Sequence, residues 1–197
     1  MRSLVALEDV TADADAVPVV SGKRQELRVF RPGSTVFTQY LESGDREELP
    51  LRNGVAFTRP LAATFRGEDD SYFVLDDVGG GTLRLWRLDV TMAGTLLAEW
   101  TGVPTTHTFS LATTPDGDLL LQRGTSDGAR AWRLEAGAGG SWSVTSAAQT
   151  TGNGVGTVAY PTSLGTVVFV PADERRAAEV ALTAQTPASL STLGGAL

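Results

Sequence analysis

Carboxylates are the side chains of this chain that stand close enough together to do chemistry. Asp69, Asp70, Asp76 and Asp77 form one acidic cluster, in two adjacent pairs, and Asp9, Asp13 and Asp15 form another near the start. Grouped carboxylates can hold calcium, which takes about six to eight oxygens. Two of them can also act as acid and nucleophile across a glycosidic bond. Neither group has the spacing of an EF-hand loop, and acids in turns commonly hydrogen-bond to their own backbone. The acid pairs fall at expected hairpin tips, which favours the turn role over metal binding or hydrolysis.

The remaining catalytic inventory is thin. His107, within Pro104-Thr105-Thr106-His107-Thr108, is the only histidine, so a His-rich zinc site is excluded and a loop or strand-edge role is expected. The chain has no cysteine, which removes disulfides, thiolate metal sites and a cysteine nucleophile. No serine stands in a Gly-x-Ser-x-Gly elbow. Gly152-Asn153-Gly154-Val155-Gly156 is dense in glycine, but no phosphate-loop lysine follows it, and a turn between repeated units explains it better. No catalytic residue, metal ligand, cofactor site or binding residue is assigned, and the balance falls against an enzyme.

Arginine carries the clearest pattern. Leu27-Arg28-Val29-Phe30-Arg31, Leu83-Arg84-Leu85-Trp86-Arg87 and Ala129-Arg130-Ala131-Trp132-Arg133 all read apolar, Arg, apolar, aromatic, Arg. Ala178-Glu179-Val180-Ala181-Leu182 is a fainter fourth copy. Recurrence about every fifty residues in a strand-rich chain signals a β-propeller or a related array. A ring of arginines from successive units could grip an anionic partner. Arginine beside an aromatic residue on a strand can equally cover the ring and pair with a neighbouring acid. Repetition favours the structural role, and it predicts Phe30, Trp86 and Trp132 buried at equivalent positions.

Elements of the right size lie between the turns. In the second unit, strands are expected at 61–65, 72–75, 82–90 and 95–100, and in the third at 109–113, 119–122, 129–134 and 142–145. The first unit is expected to use 4–7, 16–20, the motif strand and 36–41, followed by a charged tail at 42–51. The last is expected to use 158–160, 166–170, 179–183 and 189–193. Residues 171–179 have helical composition, with Pro171 at a plausible first position, but the repeat frame makes them a hairpin entering a strand. The expected organisation is one propeller-like domain over 1–197, with units at about 1–54, 55–104, 105–154 and 155–197.

Gly79-Gly80-Gly81, then Leu85-Trp86-Arg87-Leu88-Asp89, then Trp100, resembles a kelch-type propeller repeat, and Trp132-Arg133-Leu134-Glu135 followed by Trp142 is similar to it. The resemblance covers residues 55–150. It implies a disc of radial four-stranded sheets, and its members mostly bind proteins or sugars, with a few enzymes among them.

Composition bounds the partners. The 197 residues carry a formal charge of -7, with 42% hydrophobic residues and 20% charged residues, so a globular core is expected. Net negative charge disfavours nucleic acid and anionic membranes. No apolar run approaches a membrane span or a signal segment, and the compartment stays open. Lys23 is the only lysine against abundant Arg, Ala, Gly and Val, the bias of a GC-rich bacterial coding sequence. The fold expected is an all-β propeller-like array of about four four-stranded antiparallel blades, with a β-sandwich as the alternative. The expected work is binding or scaffolding within a larger bacterial assembly, through a protein partner or self-association, with carbohydrate as a second class of ligand. The alternative is a carbohydrate-active propeller enzyme, a glycosidase or lyase, using paired carboxylates.

Overall fold

Short runs of β-branched and aromatic residues, cut by glycines at positive φ, leave the chain little choice but antiparallel strands. The structure, a computed structural model, describes residues 15–21, 23–41, 43–172 and 176–197. The first sheet contains β1 (Val17–Ser21), β2 (Glu26–Phe30), β3 (Val36–Leu41) and β4 (Arg46–Pro50) in sequence order. The second contains β5 (Pro60–Arg66), β6 (Ser71–Gly79), β7 (Thr82–Leu88) and β8 (Gly94–Trp100), also in order. The third is built from β9 (Thr108–Thr113), β10 (Leu119–Thr125), β11 (Gly128–Ala136) and β12 (Trp142–Gln149). The fourth has β13 (Val158–Pro161), β14 (Thr166–Val170) and β15 (Ala178–Ala181). The last strand, β16 (Thr183–Ser189), pairs with β12 and makes the third sheet five-stranded.

The sheets stand side by side as blades. Each first strand packs on the next one, β1 on β5, β5 on β9 and β9 on β13, whereas β13 and β1 share no contact of that extent among the described residues. Small hydroxyls stitch these inner strands together. Thr64 and Thr113 meet at 3.1 Å, Thr113 donates to the Phe65 carbonyl at 2.9 Å, and Thr108 accepts the Gly156 amide at 2.9 Å. Over the described residues the chain is an all-β, propeller-like array that is open between its first and last blades.

The core lies between blades, because alternate residues of each strand face opposite neighbours. Phe73 and Leu75 of β6 pack toward blade 3 with Trp100, Leu119, Leu121 and Trp132, while Tyr72 and Val74 pack toward blade 1 with Phe30, Phe37 and Phe57. Blade 4 meets blade 3 through smaller side chains, Ala129, Ala131, Ala148 and Ala159, with Val167 and Phe169.

Several expectations change. The first motif copy lies on β2, a second strand, whereas the copies at β7 and β11 lie on third strands. The alternation of the motif fits any strand with two buried faces, so five residues do not fix a position within a blade. Phe30 and Trp132 are fully buried but Trp86 is only partly so, and Phe30 does not occupy a position equivalent to theirs. The charged tail contains β4, an outer strand whose Arg46, Glu47 and Glu48 are exposed. The strand expected at 4–7 lies outside the described residues.

The strand expected at 189–193 is instead a 3-10 helix, Leu190–Gly195. Leu190 and Leu193 sit three apart, the repeat of that helix. Both are buried in the cluster between blades 2 and 3, and Trp100 Nε1 donates to the Leu190 carbonyl at 2.7 Å. Ala178–Ala181 is a strand, so the helical composition of 171–179 does not carry through that end of the segment.

Candidate functional site

The acid pairs do not converge. Asp69 and Asp70 occupy the β5–β6 turn, whereas Asp76 and Asp77 lie toward the other end of β6. Asp70 takes Lys23 at 3.0 Å and Arg24 at 3.1 Å, tying the β1–β2 turn to blade 2. These bonds, led by the one from Lys23, hold its carboxyl below the usual range. Asp69 accepts from Ser71 at 2.6 Å and pairs with Arg87 at 2.8 Å. Burial pushes its pKa upward, but Ser71, Arg87 and Arg66 together hold it low. Asp76 receives the backbone amides of Thr58 at 3.1 Å and Arg59 at 2.8 Å, and its pKa is raised because burial outweighs them. Asp77 pairs with Arg59 and accepts the Gly79 amide at 2.8 Å. Asp69, Asp70 and Asp77 therefore close turns or join blades, while Asp76 anchors the segment leading into β5, and both Asp76 and Asp77 lie within β6 rather than at the hairpin tip expected of them. Among the described residues no three His, Asp or Glu side chains are grouped to hold a metal. Asp15 is exposed, and Asp9 and Asp13 lie outside the described residues.

His107 sits at the junction of blades 2 and 3. Its Nδ1 lies 2.5 Å from the Leu197 carbonyl oxygen, and its ring centroid is 6.5 Å from that of Phe109. It borders a void of about 30 Å³ shared with Arg59 and Asp77. That space is roughly one water and admits no sugar or peptide.

The repeated arginines have separate fates. Arg28 is buried between blades 1 and 2, paired with Glu26 at 3.0 Å and stacked 4.4 Å from the Tyr72 ring centroid. Burial lowers its pKa, and Tyr72 donates to the same Glu26 at 2.6 Å. Arg84 pairs with Glu99 at 2.7 Å, Arg87 with Asp69 at 2.8 Å and Arg133 with Glu135 at 3.4 Å. Arg31 bonds Thr38 on blade 1. Arg130 lies 5.3 Å from the Trp132 ring centroid. No arginine ring forms, and most of the repeat serves packing and ion pairing. The sequence shows the recurrence but not which partner each copy meets.

The feature that sequence reading missed is the unequal build of blade 4. Among the described residues it has three strands, because the chain leaves β15 and hands β16 to blade 3. Its far face carries Val158, Tyr160 and Val170, with Tyr160 54% exposed, and Val168 sits directly across from Tyr160. Leu164, in the β13–β14 turn, is 82% exposed. The outer strand of blade 1 differs in kind, since charges at Arg46, Glu47 and Glu48 discourage edge pairing. Turn composition gives no signal for a strand that pairs with the preceding blade.

No protein-family model matches the chain, and no curated protein matches it. A protein from Lactobacillus plantarum superposes with a TM-score of 0.58 at 13% identity, over 88% of this chain and 55% of that one. A streptogramin B lyase structure superposes with a TM-score of 0.48 at 11% identity, over 92% of this chain and 71% of the lyase. A chain from a nidogen/laminin complex gives 0.49 at 8% identity, over 89% and 80%. The chain spans about half the length of the Lactobacillus plantarum protein. At such identities the shared property is the fold, and this chain is similar to propeller-like proteins in architecture. No helix among the described residues is long and apolar enough to cross a membrane.

Proposed function

We propose that this chain is a non-catalytic binding or scaffolding module, one part of a larger propeller or protein assembly. The observation that carries this reading is the far side of blade 4, where Val158, Tyr160 and Val170 are exposed beside a three-stranded sheet. Stacked repeats bury their faces on neighbours, and an open array leaves end faces for something else to cover. The kelch-like reading of blades 2 and 3 has support from placement. Gly79 to Gly81 form the turn after the second strand, Trp86 and Trp132 stand on third strands, and Trp100 and Trp142 stand on fourth strands. Weighing against a glycosidase or lyase are the engaged carboxylates at both ends of β6.

The test is the mass in solution. Sedimentation of the wild-type chain is expected to show concentration-dependent association, which the Tyr160→Asp, Val170→Asp double variant loses while keeping its melting temperature. A wild-type chain monomeric at every concentration would sink the self-association form of this reading.

A further inference from the structure

Leu182 alone separates β15 from β16, yet the two strands join different blades. The β12–β16 pairing ends at Ala147 opposite Thr183, so among the described residues Ala148 and Gln149 have no strand partner on the outer side of β12. A cleft of about 300 Å³ opens there between blades 3 and 4. That volume is at the lower end of the range for small-molecule sites. Arg130, Gln149, Thr183 and Gln185 give the cleft its polar groups, Val180 and Ala148 contribute apolar wall, and among the described residues no carboxylate lines it.

Arg130 stands apart from the other motif arginines. Arg28, Arg84 and Arg133 each pair with a carboxylate, whereas Arg130 has no carboxylate partner among the described residues. Its Nε is buried without a hydrogen-bond partner, and Gln149 is its cross-strand neighbour. The ring of the fully buried Trp132 fixes the guanidinium from below. Directly across β10, Arg123 stacks on the same ring at 5.9 Å and donates to the Ala196 carbonyl. Burial first, and then the charge of Arg130, push the pKa of Arg123 below the usual arginine value. Two half-buried cations thus sit together with no carboxylate at ion-pair distance among the described residues, in a chain whose net charge is -7.

We propose that this cleft is a binding site for a small polyhydroxylated carboxylate, of the sugar-acid class, with Arg130 as its anchor. The planar guanidinium matches a carboxylate with two parallel N–H···O bonds. The amides of Gln149 and Gln185 and the Thr183 hydroxyl offer both donors and acceptors, which suits hydroxyl groups on the ligand body. Because Trp132 already orders Arg130, little side-chain freedom is lost on binding.

The experiment is calorimetric titration of the full chain with D-glucuronate, with D-glucose and inorganic phosphate as controls. The site predicts saturable binding of glucuronate, no binding of glucose and weaker binding of phosphate. Arg130→Gln is expected to weaken glucuronate about tenfold or more, and Arg130→Lys to recover only part of the loss. Gln185→Glu places a carboxylate on exposed β16 inside the cleft. It should abolish binding while leaving the melting temperature unchanged or raised, so the test does not depend on how Arg130 variants fold. Absence of saturable glucuronate binding, equal binding of phosphate, or full affinity in both Arg130→Gln and Gln185→Glu would each overturn the proposal.

Discussion

The two faces of the third blade are made from alternate residues of the same strands and differ sharply. Toward blade 2 the sheet presents Leu119, Leu121, Trp132, Leu134 and Val144. Toward blade 4 it presents Leu120, Ala129, Ala131 and Ala148. Large side chains on one face bury more apolar surface per residue than the alanines on the other, and so contribute more hydrophobic stabilisation. Small ones on the other let the neighbouring backbone come close. A Cβ on Gly124 would stand 1.9 Å from the Gly154 carbonyl oxygen, and one on Gly154 would stand 2.2 Å from that of Gly128. The 150–154 linker is also bonded directly to blade 3, with Thr150 N to the Ala129 carbonyl at 2.8 Å and Gly154 N to the Thr125 carbonyl at 2.7 Å. Blade 4 is therefore held by close backbone fit rather than by bulk. It is also the blade with three strands and an exposed apolar face, which places it at the less stable end of the array.

The largest effect is expected on the bulky face. Trp132→Ala empties a fully buried site and should cost about 3–5 kcal/mol. Trp86→Ala, at the related position of blade 2, should cost clearly less because Trp86 is only partly buried. Urea denaturation of both variants checks the order. Equal losses would mean that the third-strand aromatics do the same work in both blades and that the contrast between the interfaces is mistaken.

The tight face should fail differently. Gly124→Ala forces a methyl group into the Gly154 carbonyl and should cost about 1–3 kcal/mol through overpacking. Hydrogen exchange should show the loosening first in the linker after β12 and in β13 and β14, with β6 and β7 unchanged. Exchange that rises uniformly across all blades would show that blade 4 is not the weakly held part.

Much of the architecture was legible because period-two alternation, glycine turns and the spacing of Trp86 and Trp132 all point to sheets of about four strands. Blades 2 and 3 follow the expected order closely, since their turns at Gly79 to Gly81, Gly117 and Gly128 carry positive φ where the sequence offers glycine. The first blade slipped by one strand because Leu27 to Arg31 alternates in the same way as Leu83 to Arg87. The fate of β16 was not legible, because Thr183–Ser189 has no hydrophobic pattern to name the sheet it joins. The cleft around Arg130 was illegible for the same reason. Its walls come from β12, β15 and β16, and only their divergence after Leu182 creates it.

A smaller, pH-dependent effect should appear at the opposite rim. Asp69 lies below the usual carboxylate range, so it contributes stability that is present above about pH 4 and is lost as pH falls through its folded value. Asp76 and Asp118, raised by burial, act with the opposite sign. Asp69→Asn should therefore be less stable than wild type at neutral pH, and the gap should close in acid. A gap that stays constant from neutral pH to well below pH 4 would mean that the Ser71 and Arg87 contacts are not what Asp69 contributes.

The smallest effect is expected at Arg84, and it bears on why the motif repeats. Arg84 and Arg130 follow the same pattern on equivalent strands, but Arg84 meets Glu99 at 2.7 Å on a surface where both side chains are more than a third exposed. Water screens such a pair, and ordering two long side chains costs entropy, so Arg84→Gln should change stability by no more than about 0.5 kcal/mol. Arg84→Gln should also leave glucuronate binding untouched, because Arg84 does not line the cleft between blades 3 and 4. A large loss of stability at Arg84 would mean that the repeated arginine is a shared structural element, with Arg130 one more instance of it. A near-zero loss would separate the two residues. The repeat then keeps arginine beside an aromatic residue for packing, and the position takes on a ligand role only where the chain withholds a carboxylate partner and opens a cleft.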